Sequence, residues 1–166
     1  MNRDAFLAIM NDALASIHEP RLFETERGYQ GELLAMLRPR LVGAALPGDA
    51  IIEQEYQKRI NDHGIRIRPD IIIHVPFEPG ASQNRREGNF VAVEIKRKSA
   101  DVEQAFDSLR QISEALNYAL AIFVNIDSDK THIDLCPPGI AERTVCFAVR
   151  LQDGAPVVKM EARIPE

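Results

Sequence analysis

Asp70 ends the run Ile65-Arg66-Ile67-Arg68-Pro69 and is followed at once by Ile71-Ile72-Ile73. Strand alternation sends every second side chain to one face. Arg66, Arg68, Asp70 and Ile72 therefore share one face, and Ile65, Ile67, Pro69, Ile71 and Ile73 the other. A carboxylate in such an apolar run is costly to bury without a partner, and a metal ion would supply one. In residues 89–98, Phe90, Ala92, Glu94, Lys96 and Lys98 alternate with Val91, Val93 and Ile95, so a carboxylate and an ammonium project together from one strand. Taken singly these groups have ordinary readings: Asp70 paired with Arg66 or Arg68, and Glu94 with Lys96 as a solvent-facing strand pair worth little energy. Taken together they suit hydrolysis of a phosphate ester. Carboxylate oxygens match magnesium or manganese, which keep several water ligands. A metal-bound water is a better nucleophile near neutral pH. A lysine beside it adds positive charge where the pentacovalent phosphate gains negative charge.

The elements that must position these residues follow from periodicity. Phe6, Ile9, Met10, Ala13, Leu14 and Ile17 predict an amphipathic helix over 4–18, ended by His18-Glu19-Pro20 because the residue before proline leaves the helical region. A second helix is expected over about 25–38, with Thr25 as N-cap, Tyr29, Leu33 and Leu37 on one face, and Pro39 stopping or bending it. Residues 51–60 alternate weakly, Asn61-Asp62-His63-Gly64 is a turn, and 65–75 is a strong strand, so the two read as a hairpin. Residues 76–89 form a long polar loop and 89–98 a third strand. Helical spacing returns over 101–118 with Val102, Ala105, Phe106, Leu109, Ile112 and Leu116, and the apolar run 119–126 reads as a buried strand. Two or three short strands complete the order α-α-β-β-β-α-β-β-β. The expected class is α+β or mixed α/β, a central mixed sheet flanked by helices.

Composition narrows the function classes. At 166 residues, with 45% hydrophobic and 27% charged residues, the chain is expected to form a single folded domain. Twenty Lys and Arg against 25 Asp and Glu, a net charge of −5, weigh against a passive, charge-driven nucleic-acid coat. Cys136 and Cys146 are too few for a disulfide scaffold or a four-cysteine zinc site. His18, His63, His74 and His132 show no metal-ligand spacing. No apolar run nears the roughly 20 residues a bilayer span needs, and the N-terminus lacks the pattern of a targeting peptide. A cytoplasmic protein with reduced thiols is the expectation.

Arg68-Pro69-Asp70, then Val93-Glu94-Ile95-Lys96 after a gap of 24 residues (94 minus 70), resembles the signature of the PD-(D/E)XK nuclease superfamily. The order of elements around it agrees over residues 25–126, with the helix 4–18 before this core and strands over 130–162 after it. The resemblance implies a restriction-endonuclease-like core and a metal-dependent nuclease hydrolysing phosphodiester bonds of DNA, less readily RNA. It implies that Asp70 and Glu94 coordinate Mg2+, with Mn2+ as a substitute, and that Lys96 attends the attacking water. Glu32 stands where many members carry a helix-borne acid that completes the metal site, and Glu53 or Glu55 could replace or supplement it. Arg85, Arg86, Arg97 and Lys98 belong to a locally basic stretch that beside such a site would contact phosphates. Gln104 or Gln111 could face the site. Gln111 and Tyr118 are seven apart, so the Gln-x-x-x-Tyr pattern of the exonuclease branch is not met there. A partner protein or a homodimer is a further expectation. The alternative function is a catalytically inactive nuclease-fold module that binds nucleic acid or serves in assembly, and retention of both acids and the lysine favours the enzyme.

Overall fold

The structure is a computed structural model that describes residues 2–42, 46–54, 67–77, 84 and 86–163. Its elements run α1 (Arg3–Ala15), α2 (Glu26–Leu41), β1 (Ile51–Gln54), β2 (Ile71–His74), β3 (Asn89–Arg97), α3 (Val102–Leu116), β4 (Leu120–Ile126), β5 (Thr144–Gln152) and β6 (Ala155–Ala162). Short 3-10 helices lie over Pro20–Glu24, Ile133–Leu135 and Pro138–Arg143. Among the described residues, helices and strands follow one another in the expected order. The six strands form one mixed sheet in the order β1-β2-β3-β4-β5-β6. β1, β2 and β3 are antiparallel neighbours, β3, β4 and β5 run parallel, and β6 returns antiparallel on β5. Parallel neighbours need a long crossover, which α3 supplies between β3 and β4, and the last two 3-10 helices between β4 and β5.

Each sheet face has its own apolar layer. Phe6, Met10 and Leu14 of α1, with Tyr29, Leu33 and Leu37 of α2, pack on Ile71, Ile73, Val91, Val93 and Ile95. On the other face Phe106, Leu109 and Ile112 of α3 pack on Ile72, Ala92 and Phe123. The helical stripe read from the sequence is the buried stripe of α3, and full burial of a side chain such as Phe106 stabilises by about 1.5–3 kcal/mol. Every residue of β4 is buried, as its continuous apolar run requires of a strand covered on both faces.

Several boundaries differ from the sequence expectation. Helix α2 continues through Pro39 to Leu41. A proline in the last turn forfeits only one helical hydrogen bond, and the Arg40 guanidinium donates to the Met36 carbonyl at 2.9 Å. Strand β2 is confined to four residues, with a bend at Asp70 where the strong strand was expected to continue. The hairpin turn at 61–64, with Glu55 and His63, lies outside the described residues. After β2, the Val75 N–H donates to the Gly88 carbonyl at 2.8 Å. Gly88 has φ +71°, and a Cβ there would lie 3.0 Å from the Val75 Cβ. Gly88→Ala should therefore lower stability by at least about 1–2 kcal/mol, read as a lower urea midpoint with unchanged m. An unchanged midpoint would mean the turn is not held in this conformation.

Candidate active site

The register of β3 with its neighbours assembles the site. Ile71 pairs with Val93 and Ile72 with Ala92, and the Asp70 N–H continues that ladder to the Val93 carbonyl at 3.1 Å. Asp70 therefore sits across from Glu94, on the α3 side of the sheet. Ile95 N–H donates to Asp70 Oδ2 at 2.6 Å, which fixes the carboxylate against β3. From the other layer, the buried Gln30 side chain of α2 donates to the Asp70 carbonyl. Asp70, Glu94 and Lys96 line one polar cavity of about 260 Å3 together with Ile67, Arg68, Gln104, Ala105 and Ser108. The first two turns of α3 form the wall facing β3, because Gln104 and Ser108 are one turn apart and share a face.

Glu94 is 6% exposed, and its charged neighbours are Asp70, Lys96 and Glu26. Burial pushes its pKa up to about 8; the Asp70 charge adds to the rise, Lys96 opposes it, and Glu26 adds a little more. Glu26 sits at the start of α2, past the end of β3. Its Oε1 accepts the Arg97 N–H at 3.0 Å, and its Oε2 lies 3.7 Å from Lys96 Nζ. The cavity thus gathers a buried carboxylate, a second carboxylate fixed by a backbone N–H, and an ammonium that a third acid contacts from the rim.

Among the described residues, no group of three or more His, Cys, Asp and Glu side chains is gathered as a metal site. The donors nevertheless fit a hard divalent cation, since magnesium is commonly held by one or two carboxylates with waters and substrate phosphate completing its shell. The raised affinity of Glu94 for a proton is the same chemistry: a cation placed between Asp70 and Glu94 would relieve the cost that protonation relieves now.

The other expected site residues are placed differently. Glu32 does not line the cavity. It lies six residues beyond Glu26 on α2, about 240° around the helix at 3.6 residues per turn, so the helix-borne acid near the site is Glu26. That residue reads in sequence as a first-turn acid favoured by the helix dipole; the available signal is its i, i+4 spacing to Gln30. Glu53 of β1 is engaged elsewhere, its Oε2 2.7 Å from Nε2 of the buried His74. The basic group is dispersed. Arg97 Nε donates to the Phe23 carbonyl at 2.8 Å, and Asp127 Oδ2 takes both Arg97 at 3.2 Å and Lys98 at 3.3 Å. Arg97 alternates onto the α2 side of the sheet, away from the cavity. Arg86 donates to the Glu114 carbonyl at 3.3 Å, at the far end of α3. That is before β3 begins, and Asn89 alone is about 23 Å from Lys96 at 3.3 Å per residue. Arg85 lies outside the described residues. Gln104 lines the cavity, whereas the Gln111 amide donates to Asp107 at 2.6 Å. Ser108 joins the site without having been singled out in sequence, and Arg68, read there only as an ion-pair partner for Asp70, lines it too.

No family model and no curated protein matches this chain. Among solved structures, Pyrococcus furiosus SfsA in complex with Ca2+ is similar at 14% identity and a TM-score of 0.37, over 87% of this chain and 63% of that one. The chain thus spans a little under two thirds of that protein's length. No described helix is long and apolar enough to cross a membrane.

The Glu94 shift has a signed consequence. The unfolded chain titrates near the ordinary 4.5 and the folded protein near 8. Between these values the folded state holds the extra proton, so this group's contribution to metal-free stability falls as pH rises. At about 1.4 kcal/mol per pH unit, the loss by pH 7 is about 3 kcal/mol. In chelator, Glu94→Gln should melt above the wild type at pH 7, with the advantage vanishing near pH 4.5. A difference independent of pH would show that Glu94 ionises normally.

Proposed function

We propose that the protein is a divalent-metal-dependent nuclease that hydrolyses phosphodiester bonds of DNA. The observation that carries this reading is the cavity in which the buried Glu94 meets Asp70 and Lys96. Perturbed acids clustered in a cleft favour a functional site.

Asp70 and Glu94 would hold Mg2+ or Mn2+, with Glu26 rather than Glu32 as the acid at the rim. Such an ion, when bound, polarises a phosphoryl oxygen and lowers the pKa of its water. The remaining tasks belong to the chain. Asp70 is oriented by the Ile95 N–H, so its carboxylate need not reorganise as charge develops. Lys96 presents an ammonium beside both acids, where it can orient the attacking water and stabilise the added negative charge on phosphorus-bound oxygens. Glu26 restrains that ammonium at 3.7 Å without burying it in a tight pair. Arg68, Gln104 and Ser108 surround the remaining volume with donors suited to phosphate oxygens.

The test is cleavage of single-stranded, duplex, flap and branched DNA, with RNA alongside, in Mg2+ or Mn2+. Lys96→Ala should lower turnover about 10²–10³-fold while leaving the metal-dependent rise in melting temperature in place. Asp70→Asn should abolish both, because the ion stabilises only the native state that binds it. Chelator should stop cleavage by the wild type. A wild type that cuts no substrate with either metal, yet binds nucleic acid, would replace this reading with the binding-module alternative.

A further inference from the structure

We propose that Ser99, Asn125 and His132 form a positioning clasp that sets Lys96 against the wall of the cavity built by α3; the catalytic part of this inference rests on the nuclease reading above. Four residues, 98–101, turn the chain from β3 into α3. Three of them, Lys98, Ser99 and Asp101, have φ of +53°, +62° and +47°, a left-handed conformation that residues other than glycine adopt at a cost. Such strain persists only where surrounding contacts over-determine it, and it concentrates at functional sites.

Backbone bonds from the Lys98 N–H to the Ile126 carbonyl and from the Ala100 N–H to the Arg97 carbonyl, each 3.0 Å, pin the turn's ends, and Ser99 at its centre is held by one wholly buried amide. Asn125 Oδ1 accepts the Ser99 N–H at 3.0 Å, and Asn125 Nδ2 donates to Ser99 Oγ at 3.0 Å and to the Lys130 carbonyl at 2.8 Å. His132 Nε2 lies 2.7 Å from the same Ser99 Oγ. His132 is itself at φ +56°, and its ring meets Phe123 edge-on with centroids 6.5 Å apart. The register places this cluster beside the site: Phe123 is the β4 partner of Glu94, and Asn125 the β4 partner of Lys96.

The arrangement does more than close a loop. Lys96 is two residues before the strained turn, and Gln104 and Ser108 follow it in the first two turns of α3. The turn therefore joins the strand end that carries the ammonium to the wall it faces. If the clasp opens, the turn can relax and the two sides of the cavity lose their common reference. A displacement of about 1 Å in a catalytic group can cost up to 10²-fold in rate.

Ser99→Gly separates positioning from mere stability, because glycine accepts the left-handed φ while losing the hydroxyl that links Asn125 and His132. Its melting temperature should equal or exceed the wild type's. Turnover at saturating Mn2+ should fall about tenfold, with KM for DNA within twofold. The Lys96 side-chain 13Cε resonance, assigned through Lys96→Arg, should move toward that of an exposed lysine. Asn125→Ala should move the same resonance further, read on the fraction that remains folded. An unmoved Lys96 resonance in Ser99→Gly, or a moved resonance with wild-type turnover, would overturn the proposal. Should the wild type cleave neither DNA nor RNA, the nuclease reading fails and the Lys96 resonance alone decides the clasp.

Discussion

Glu94 leaves the middle of the sheet for a cavity that offers its carboxylate two other acids and one ammonium. Burial in that company is unfavourable for the charged form, and the fold does little to relieve it: Asp70 is directed to the Ile95 N–H, and Glu26 is shared between the Arg97 N–H and Lys96. The surrounding structure consists largely of what is needed to keep this arrangement from collapsing. Two apolar layers clamp β3 from opposite faces. Gln30 reaches across to the Asp70 carbonyl, and α3 covers the polar patch with Gln104 and Ser108 rather than with leucine. A helix facing a hydrophobic strand would present apolar residues there; this one changes character where it passes over the acids.

The mixed sheet is the means by which three residues distant in sequence become one site. β3 has an antiparallel neighbour on one side and a parallel one on the other. The antiparallel partner delivers Asp70 at its start, so the acid meets the later part of β3. The parallel partner delivers its own late residues to the same end, so Phe123 and Asn125 stand beside Glu94 and Lys96. Ends of parallel strands are where open α/β sheets keep their crevices. Here the strained connection 98–101 and the loop carrying His132 meet at that end, tied through Asn125. Chemistry on one side of β3 and tethering on the other are consequences of the same pairing.

The sequence made the periodic parts of this fold legible and left the contact-dependent parts hidden. Val102, Ala105, Phe106, Leu109, Ile112 and Leu116 announce α3 because a buried helical face must repeat, and residues 120–126 announce β4 because a strand covered on both faces must be apolar throughout. Strand alternation put Glu94 and Lys96 on one face; Asp70 joined them through the resemblance, and the β2–β3 register sets it opposite Glu94. Glu32 stood out over Glu26 only through resemblance to a pattern, and the helix angle turns it away. Pro39 was expected to stop or bend α2, yet the helix runs on to Leu41, its last turn supported by Arg40 on the Met36 carbonyl. Asn125 carried no signal, since an asparagine near the end of an apolar run looks like the start of a turn. Its three hydrogen bonds depend on where residues 99 and 130 arrive, which no local pattern encodes.

The basic stretch before and within β3 shows the same division between composition and geometry. Read as a line, residues 85–98 hold a surplus of positive charge suited to a polyanion. In three dimensions Arg86 turns to the far end of α3, while Arg97 and Lys98 converge on Asp127. Among the described residues the cations lining the cavity are Lys96 and Arg68, in a chain whose net charge is −5. A phosphodiester approaching them would meet Asp70 in the cavity, Glu26 at its rim, and a Glu94 that keeps its proton below a pH of about 8 unless a cation displaces it. A divalent ion held between the acids would displace that proton and add the positive charge that favours a phosphate. The arrangement that makes Glu94 expensive to ionise would in this way couple the two occupants: the ion neutralises the carboxylates, and the phosphate completes the ion's shell.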